Sequence, residues 1–253
     1  MVDGVLIALC FLFFPALSHA QPEAVKSARE GVKEEVTKLD GVESKDKELG
    51  TKKAALGKIF DLSLTEVGSV RDQLLAIPDE DLEAGFLLLK QDVFLPGLDV
   101  FESFLKREKA AFKKTATLDE VRKLANGFNE WRKGNYNPEM EKAFGFLLVV
   151  RNGDALQVGD ARLLRFVTYA KKAKFKGKPV EWEPLLAAAA ASLSDAHAAY
   201  EDARAVLLRY VPKENQDDVS DERPPITVSV GNSYNSIREA YQSFVAIAKF
   251  FQQ

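Results

Sequence analysis

The sequence predicts an all-α fold, a multi-helix antiparallel bundle of about seven to nine helices with two long heptad-patterned helices near the C-terminus. Three observations support this. Apolar residues recur every three or four positions along nearly every long segment, and sustained strand alternation is absent. Leu186, Ala189, Leu193, Ala196, Tyr200, Ala203, Leu207 and Tyr210 keep a strict 3-4 spacing, as do Val230, Tyr234, Ile237, Tyr241, Phe244, Ala248 and Phe251. Helix punctuation by S/T-x-x-E boxes, proline and glycine falls at helix-length intervals.

Residues 1–20 read as a secretory signal peptide. Val5 to Leu17 is apolar, and Ser18 and Ala20 supply small residues at the −3 and −1 positions of a cleavage site, so cleavage is expected after Ala20. The run is shorter than the ~20 residues a helix needs to cross a bilayer. Its flank, Met-Val-Asp-Gly, departs from the usual pattern by lacking a basic residue. Cys10 does not read as a lipid-anchor site, because Leu9 precedes it and the apolar run continues beyond it.

Residues 21–60 form an N-terminal helical segment, with Val25, Ala28, Val32, Val36, Leu39 and Val42 on one face. The polar stretch Gly41 to Lys53 is expected to separate the first helix of this segment from the body. Residues 61–253 are the helical bundle domain. Ser63-Leu64-Thr65-Glu66 reads as a capping box opening a helix that ends before Pro78. Asp79-Glu80-Asp81 places negative charge at the next helix start, where the dipole favours it. That helix carries Leu82, Phe86, Leu89 and Val93, and Pro96-Gly97 is expected to kink or break it. Leu98, Phe101, Leu105 and Phe112 continue beyond.

Thr117-Leu118-Asp119-Glu120 is a second capping box, followed by the stripe Leu118, Val121, Ala125, Phe128 and Trp131. Asn137-Pro138 reads as an N-cap with proline at the first helical position. It leads to Met140, Phe144, Leu147 and Leu148. Gly153 is expected to stop that helix, and Asp154 to open another with Leu164, Val167 and Ala170 inside. Ile226 to Val230 looks strand-like but has no evident partner, so it is expected to be an extended lead into the last helix. The acidic, proline-bounded loop Pro212 to Pro225 joins the two heptad helices. These helices are expected to pair within the chain, with an oligomeric coiled coil as the alternative. Ala187, Ala188, Ala190 and Ala199 flank the first seam and are too apolar for a two-stranded coil in water.

Phe128, Trp131, Arg132, Tyr136, Asn137 and Pro138, followed by Phe146 to Val149, make the pattern F-x-x-W-R-x-x-x-Y-N-P then F-L-L-V. With the long Ala/Leu helix and the final I-R-E-A-Y-x-x-F helix, the chain from about Leu62 onward resembles uncharacterised exported helical proteins of candidate-phylum bacteria. The resemblance implies an exported all-helical protein and carries no activity.

The composition narrows the chemistry. Thirty-five Lys and Arg stand against 38 Asp and Glu, a formal net charge of −3, without the basic excess of a general nucleic-acid binder. Cleavage after Ala20 would remove the one cysteine and leave His197 as the one histidine. No disulfide framework is then possible, and a zinc site would have one imidazole and no thiolate to draw on, so no metal and no cofactor are expected. There is no G-x-S-x-G elbow, no phosphate-binding glycine loop and no EF-hand spacing, although Asp217, Asp218, Asp221 and Glu222 cluster in one loop. Glu130, Glu139, Glu141, Glu181 and Glu183 supply acids for a two-carboxylate glycosidase, and Trp182 lies between the last two. Against this, helix-start acids and a core tryptophan explain the same residues.

The candidate binding residues are Lys171, Lys172, Lys174, Lys176 and Lys178, five ammonium groups within eight residues. The helix dipole explains part of that placement, and contact with an anionic surface explains the rest. Lys106, Arg107, Lys109, Lys113 and Lys114 form a second basic stretch. The expected function is an exported, non-enzymatic interaction or structural module of the cell envelope. Its expected partner is another envelope protein, or an anionic envelope polymer or lipid surface. No nucleic acid and no transmembrane segment in the mature chain are expected. The alternatives are an envelope-glycan enzyme using paired carboxylates and a membrane-surface-binding helical protein.

Overall fold

The structure, a computed structural model, describes residues 23–38, 45–172, 182–211 and 226–250. Every regular element among these is helical. The helices are α1 (Glu23–Thr37), α2 (Lys45–Leu75), α3 (Ala84–Leu88), α4 (Leu95–Lys113), α5 (Leu118–Trp131), α6 (Asn137–Lys172), α7 (Glu183–Leu208) and α8 (Ile226–Phe250). A 3-10 turn, Asp79–Asp81, precedes α3, and π-helical turns lie at Leu89–Phe94 and Arg132–Tyr136. No helix among the described residues is long and apolar enough to cross a membrane. The signal segment lies outside the described residues. The chain divides into two compact units, Met1–Glu141 and Lys142–Gln253.

In the first unit, α1 lays Val25 and Val32 against α2, which buries Ala55, Leu56, Ile59, Phe60, Val67, Val70 and Leu74. The long α2 begins at Lys45, so the polar stretch expected to run to Lys53 is helical from that point on. Nor does Ser63 open a helix. It lies mid-helix with its hydroxyl donating to the Ile59 carbonyl at 3.0 Å, and Thr65 donates to Asp61 in the same way. A serine that returns its proton one turn back needs no helix end, and the S-x-x-E spacing alone cannot distinguish the two uses. The second box is real. Glu120 N–H donates to Thr117 Oγ1, and Thr117 N–H donates to the Glu120 carboxylate.

The aromatic residues of this unit converge on Trp131. Its ring stacks on Phe104 with centroids 3.9 Å apart and meets Phe101 edge-on at 5.7 Å. Phe128 and Tyr136 complete the cluster, while Phe60 reaches Phe128 at 4.4 Å. The F-x-x-W-R-x-x-x-Y pattern is therefore the wall of a core.

Both π turns have one physical cause. Each precedes a proline by two residues: Phe94-Leu95-Pro96 and Tyr136-Asn137-Pro138. Proline offers no N–H and its ring collides with the carbonyl four residues back. The chain relieves that conflict by widening one turn. Leu95 N–H donates to the Lys90 carbonyl and Asn137 N–H to the Arg132 carbonyl, each five residues back. Pro96 thus does not break the path, which runs on through the π turn into α4. Asn137, at φ −62° and ψ −45°, is helical rather than an N-cap. The two sites share a pattern, Phe86-Lys90-Phe94-Leu98 and Phe128-Arg132-Tyr136-Met140, all eight buried at four-residue spacing. That spacing would drift around an α-helix and stays on one face when the turn is wider.

In the second unit, three helices pack around Leu156, Ala189, Leu193, Ala196, Ile237, Ala240 and Phe244. Gly145 meets Ile226, Asn152 meets Ser233 and Phe166 stacks on Phe244, so α6 and α8 run parallel. Gly153 meets Tyr200 and Gly159 meets Leu193, so α7 runs antiparallel to α6. Gly153 does not stop α6. It lies inside a helix that continues to Lys172, leaving room for the Tyr200 ring. Because the helix is continuous from Asn137, its inner stripe is Asn152, Leu156, Gly159, Leu163 and Phe166, and Leu164, expected inside, is 67% exposed.

Ile226 to Val230 is the first stretch of α8, not an extended lead. Ile226 and Val230 are buried in helical register, which shared β-branched composition with strands concealed. The α7 stripe matches its expected positions, with Ala189, Leu193, Ala196, Ala203 and Leu207 buried. In α8, Val230, Ile237 and Phe244 are buried, but Ser233, Ala240 and Ile247 take the places expected for Tyr234, Tyr241 and Ala248. Ser233 Oγ lies 2.8 Å from both Asn152 Oδ1 and the Ala196 carbonyl. One hydroxyl has one proton, so turning the Asn152 amide lets its NH2 donate to Ser233, which donates to Ala196.

Candidate functional site

Each unit holds an arrangement beyond simple packing. In the first, Glu66 is the one buried carboxylate among the described residues, at 6% exposure. Tyr136, at 1% exposure, donates its hydroxyl to Glu66 Oε2 at 3.0 Å, with the Ser63 carbonyl at 3.2 Å. Arg29 on α1 reaches Glu66 Oε1 at 3.2 Å, and Arg132 approaches Oε2 at 3.7 Å while lying over the Tyr136 ring. Burial, reinforced by the Glu66 carboxylate, pushes the Tyr136 phenol well above its ordinary titration range. The cluster is a neutral phenol and two guanidiniums around one carboxylate. It ties α1, α2 and the second π turn together. Its chemistry is mutual satisfaction, with each carboxylate oxygen already engaged.

At the first π turn, Lys90 plays the corresponding part. Its ammonium donates to the Ile77 carbonyl at 2.5 Å and to Asp79 at 2.6 Å, which secures the turn after α2. That hydrogen bond holds the Asp79 carboxyl below its usual range.

The second unit carries an open groove of about 610 Å³ between α6 and α8. Arg162, Arg165, Phe166 and Tyr169 line it from α6, and Tyr241, Phe244, Val245 and Ala248 from α8. Phe166 and Phe244 form the floor, stacked with centroids 5.3 Å apart and planes 16° from parallel. The Arg162 guanidinium lies over the Tyr241 ring, 4.5 Å from its centroid. Tyr169 and Val245 are each 54% exposed at the rim. This is an apolar trough whose only charges, among the described residues, are two guanidiniums. Ligand pockets combine the same parts, a mostly apolar wall with a few convergent polar groups, and have similar volumes.

The residues singled out from the sequence fall elsewhere. Lys171 and Lys172 are the last two residues of α6, and their side chains, with Lys174, Lys176 and Lys178, lie outside the described residues. The acidic cluster Asp217 to Glu222 and Glu181 also lie outside them. Trp182 is half-buried before α7, and Glu183 is exposed at its start. Glu130 pairs with Lys133 on the surface. In the second basic stretch, Lys106 pairs with Glu102, Arg107 with Glu108 and Lys109 with Asp61. His197 meets Asp160 at 3.0 Å, linking α7 to α6. Among the described residues, no three His, Cys, Asp or Glu side chains converge as a metal site.

The groove was missed because Arg162, Arg165 and Tyr169 look like ordinary surface, and Tyr241, Phe244 and Ala248 read as part of the heptad seam. Arg162, Arg165 and Tyr169 recur at i, i+3 and i+7, and Tyr241, Val245 and Ala248 at i, i+4 and i+7. A search for mixed arginine–aromatic stripes beside the core stripe would have marked the α6 side. Compared with protein-family models, with curated proteins and with solved structures, the chain matches none.

Proposed function

We propose that this chain is an exported, non-catalytic helical module of the cell envelope that works by holding a partner. The observation that carries the reading is the α6–α8 groove, an exposed aromatic trough with two guanidiniums on a closely packed three-helix frame. A rigid frame presenting an apolar surface with fixed charges is suited to recognition. The export part rests on the sequence of residues 1–20. The lysines from Lys171 to Lys178 follow in sequence, and contact between them and an anionic envelope surface belongs to the same proposal.

The test is chemical cross-linking in the native cells, followed by mass spectrometry of whatever is joined to the chain. Links from α6 or α8 to an envelope component support the reading. Turnover of peptidoglycan or a model glycoside by the purified chain overturns it.

A further inference from the structure

We propose that the α6–α8 groove binds a free single-chain amphiphile with one anionic headgroup, of the fatty-acid class. The inference rests on the binding-module reading and names its ligand.

The lining divides into two chemical zones. Phe166, Phe244, Val245 and Ala248 offer an apolar bed, and Phe244 is buried to the level of a core residue. Arg162 and Arg165 stand one helical turn apart on α6 at its edge. Among the described residues no acid lines the groove, and neither arginine makes an ion pair with a described residue. The acid preceding them on α6, Asp160, is engaged by His197. Two like charges one turn apart repel each other, and an anion between them turns that repulsion into attraction. Guanidiniums are the side chains suited to this task, because they present paired donors to carboxylate and phosphate oxygens and are weakly hydrated. Stacking of Arg162 on Tyr241 fixes one of them in advance, so less side-chain freedom is lost on binding.

Charge selects the head and the stacked floor selects the tail. A neutral apolar ligand would leave the guanidiniums without a counter-charge. A cationic one would be repelled. The volume of about 610 Å³ fits one small-molecule ligand rather than a protein domain.

The test is isothermal titration of the full chain with palmitate below its micelle concentration. Hexadecyltrimethylammonium is the cationic control and phosphatidylglycerol vesicles are the bilayer control. The expected result is saturable one-to-one binding of palmitate, weakened at least tenfold in the Arg162→Gln/Arg165→Gln double variant, with no saturable binding of the cationic chain. Val245→Glu, a rim change at an exposed position, should weaken palmitate comparably. Circular dichroism of both variants should match the parent, because none of the three side chains is buried.

Absence of palmitate binding, binding unchanged in the double variant, or binding to vesicles alone overturns the proposal. A cross-linked envelope partner together with no palmitate binding removes the ligand and leaves the module reading standing. Arginine-dependent palmitate binding by a chain that also degrades glycan does the reverse.

Discussion

Gly159→Ala should destabilise the parent protein and stabilise a variant that lacks the Leu193 side chain. The Cβ added at position 159 would lie 2.8 Å from Leu193 Cδ2, closer than carbon atoms sit, with Leu193 Cδ1 at 3.8 Å and Cγ at 3.9 Å. Two effects compete. Replacing a mid-helix glycine by alanine favours the helix by about 1 kcal/mol. Overpacking a filled site costs about 1–3 kcal/mol. Leu193 is 2% exposed within the three-helix core and has little room to retreat. The net change in the parent should therefore be a loss of about 0–2 kcal/mol. Leu193→Ala alone should cost about 2–5 kcal/mol, through lost burial and the cavity it leaves. In that background the colliding atom is gone, and Gly159→Ala should return about 1 kcal/mol.

The assay is urea unfolding of the four-member cycle, with hydrogen exchange on α6, α7 and α8 peptides to assign the change to the second unit. Gly127→Ala is the control, since it lies exposed on α5 with no atom within 4 Å of an added Cβ. It should stabilise by about 1 kcal/mol. Equal effects of Gly159→Ala in the parent and in Leu193→Ala would refute the close-approach argument.

Three further outcomes are expected. Glu102, held down to about 2 from 4.5 by Lys106 and Arg71, has a depressed folded-state pKa. Its contribution is therefore full above about pH 4.5 and lost as pH falls toward about 2. Urea midpoints of Glu102→Gln should show a shallower acid slope across that window, and parallel curves would discredit the Arg71–Glu102–Lys106 link. Tyr136→Phe, which removes the hydroxyl donor to buried Glu66, should cost about 1–3 kcal/mol, and Glu66→Ala should cost more, because it leaves Arg132 buried without its counter-charge. The opposite ranking in thermal or urea unfolding would contradict the hub reading. Thr117→Ala should cost about 1 kcal/mol and raise hydrogen exchange at the first turn of α5. Unchanged exchange there would mean that the cap holds nothing.

How much was legible from sequence depended on whether one residue type admits one role. The α7 seam could be read because leucine and alanine at 3-4 spacing have one economical use. The Thr117 box could be read because a polar break precedes it. Ser63, with the same motif, could not, because its hydroxyl has a local carbonyl to bond wherever the helix runs. Ser233 and Asn152 occupy core positions that hydropathy assigns to apolar residues, and only their mutual hydrogen bonds permit burial. Gly153 read as a breaker because the sequence does not show that the Tyr200 ring lies across from it. Glu66 and Tyr136 are seventy positions apart, so no local pattern pairs them. The groove arginines were hidden for the opposite reason, since an exposed arginine is the default on any helix.

The π turns also constrain chain length. Each acts as a phase correction between two α-helical lattices, adding the residue that brings Phe128, Arg132, Tyr136 and Met140 into line. Deleting Gly134 would merge α5 and α6 into one lattice and rotate Tyr136 and Met140 by about 100° relative to Phe128. The phenol would then leave Glu66, and Met140 would leave the core. Substitution at the same position meets no atom within 4 Å. At Gly134 the identity of the residue is nearly free, while its presence is not. Variation among related chains should therefore record exchanges at position 134 and almost no insertions or deletions in these two turns.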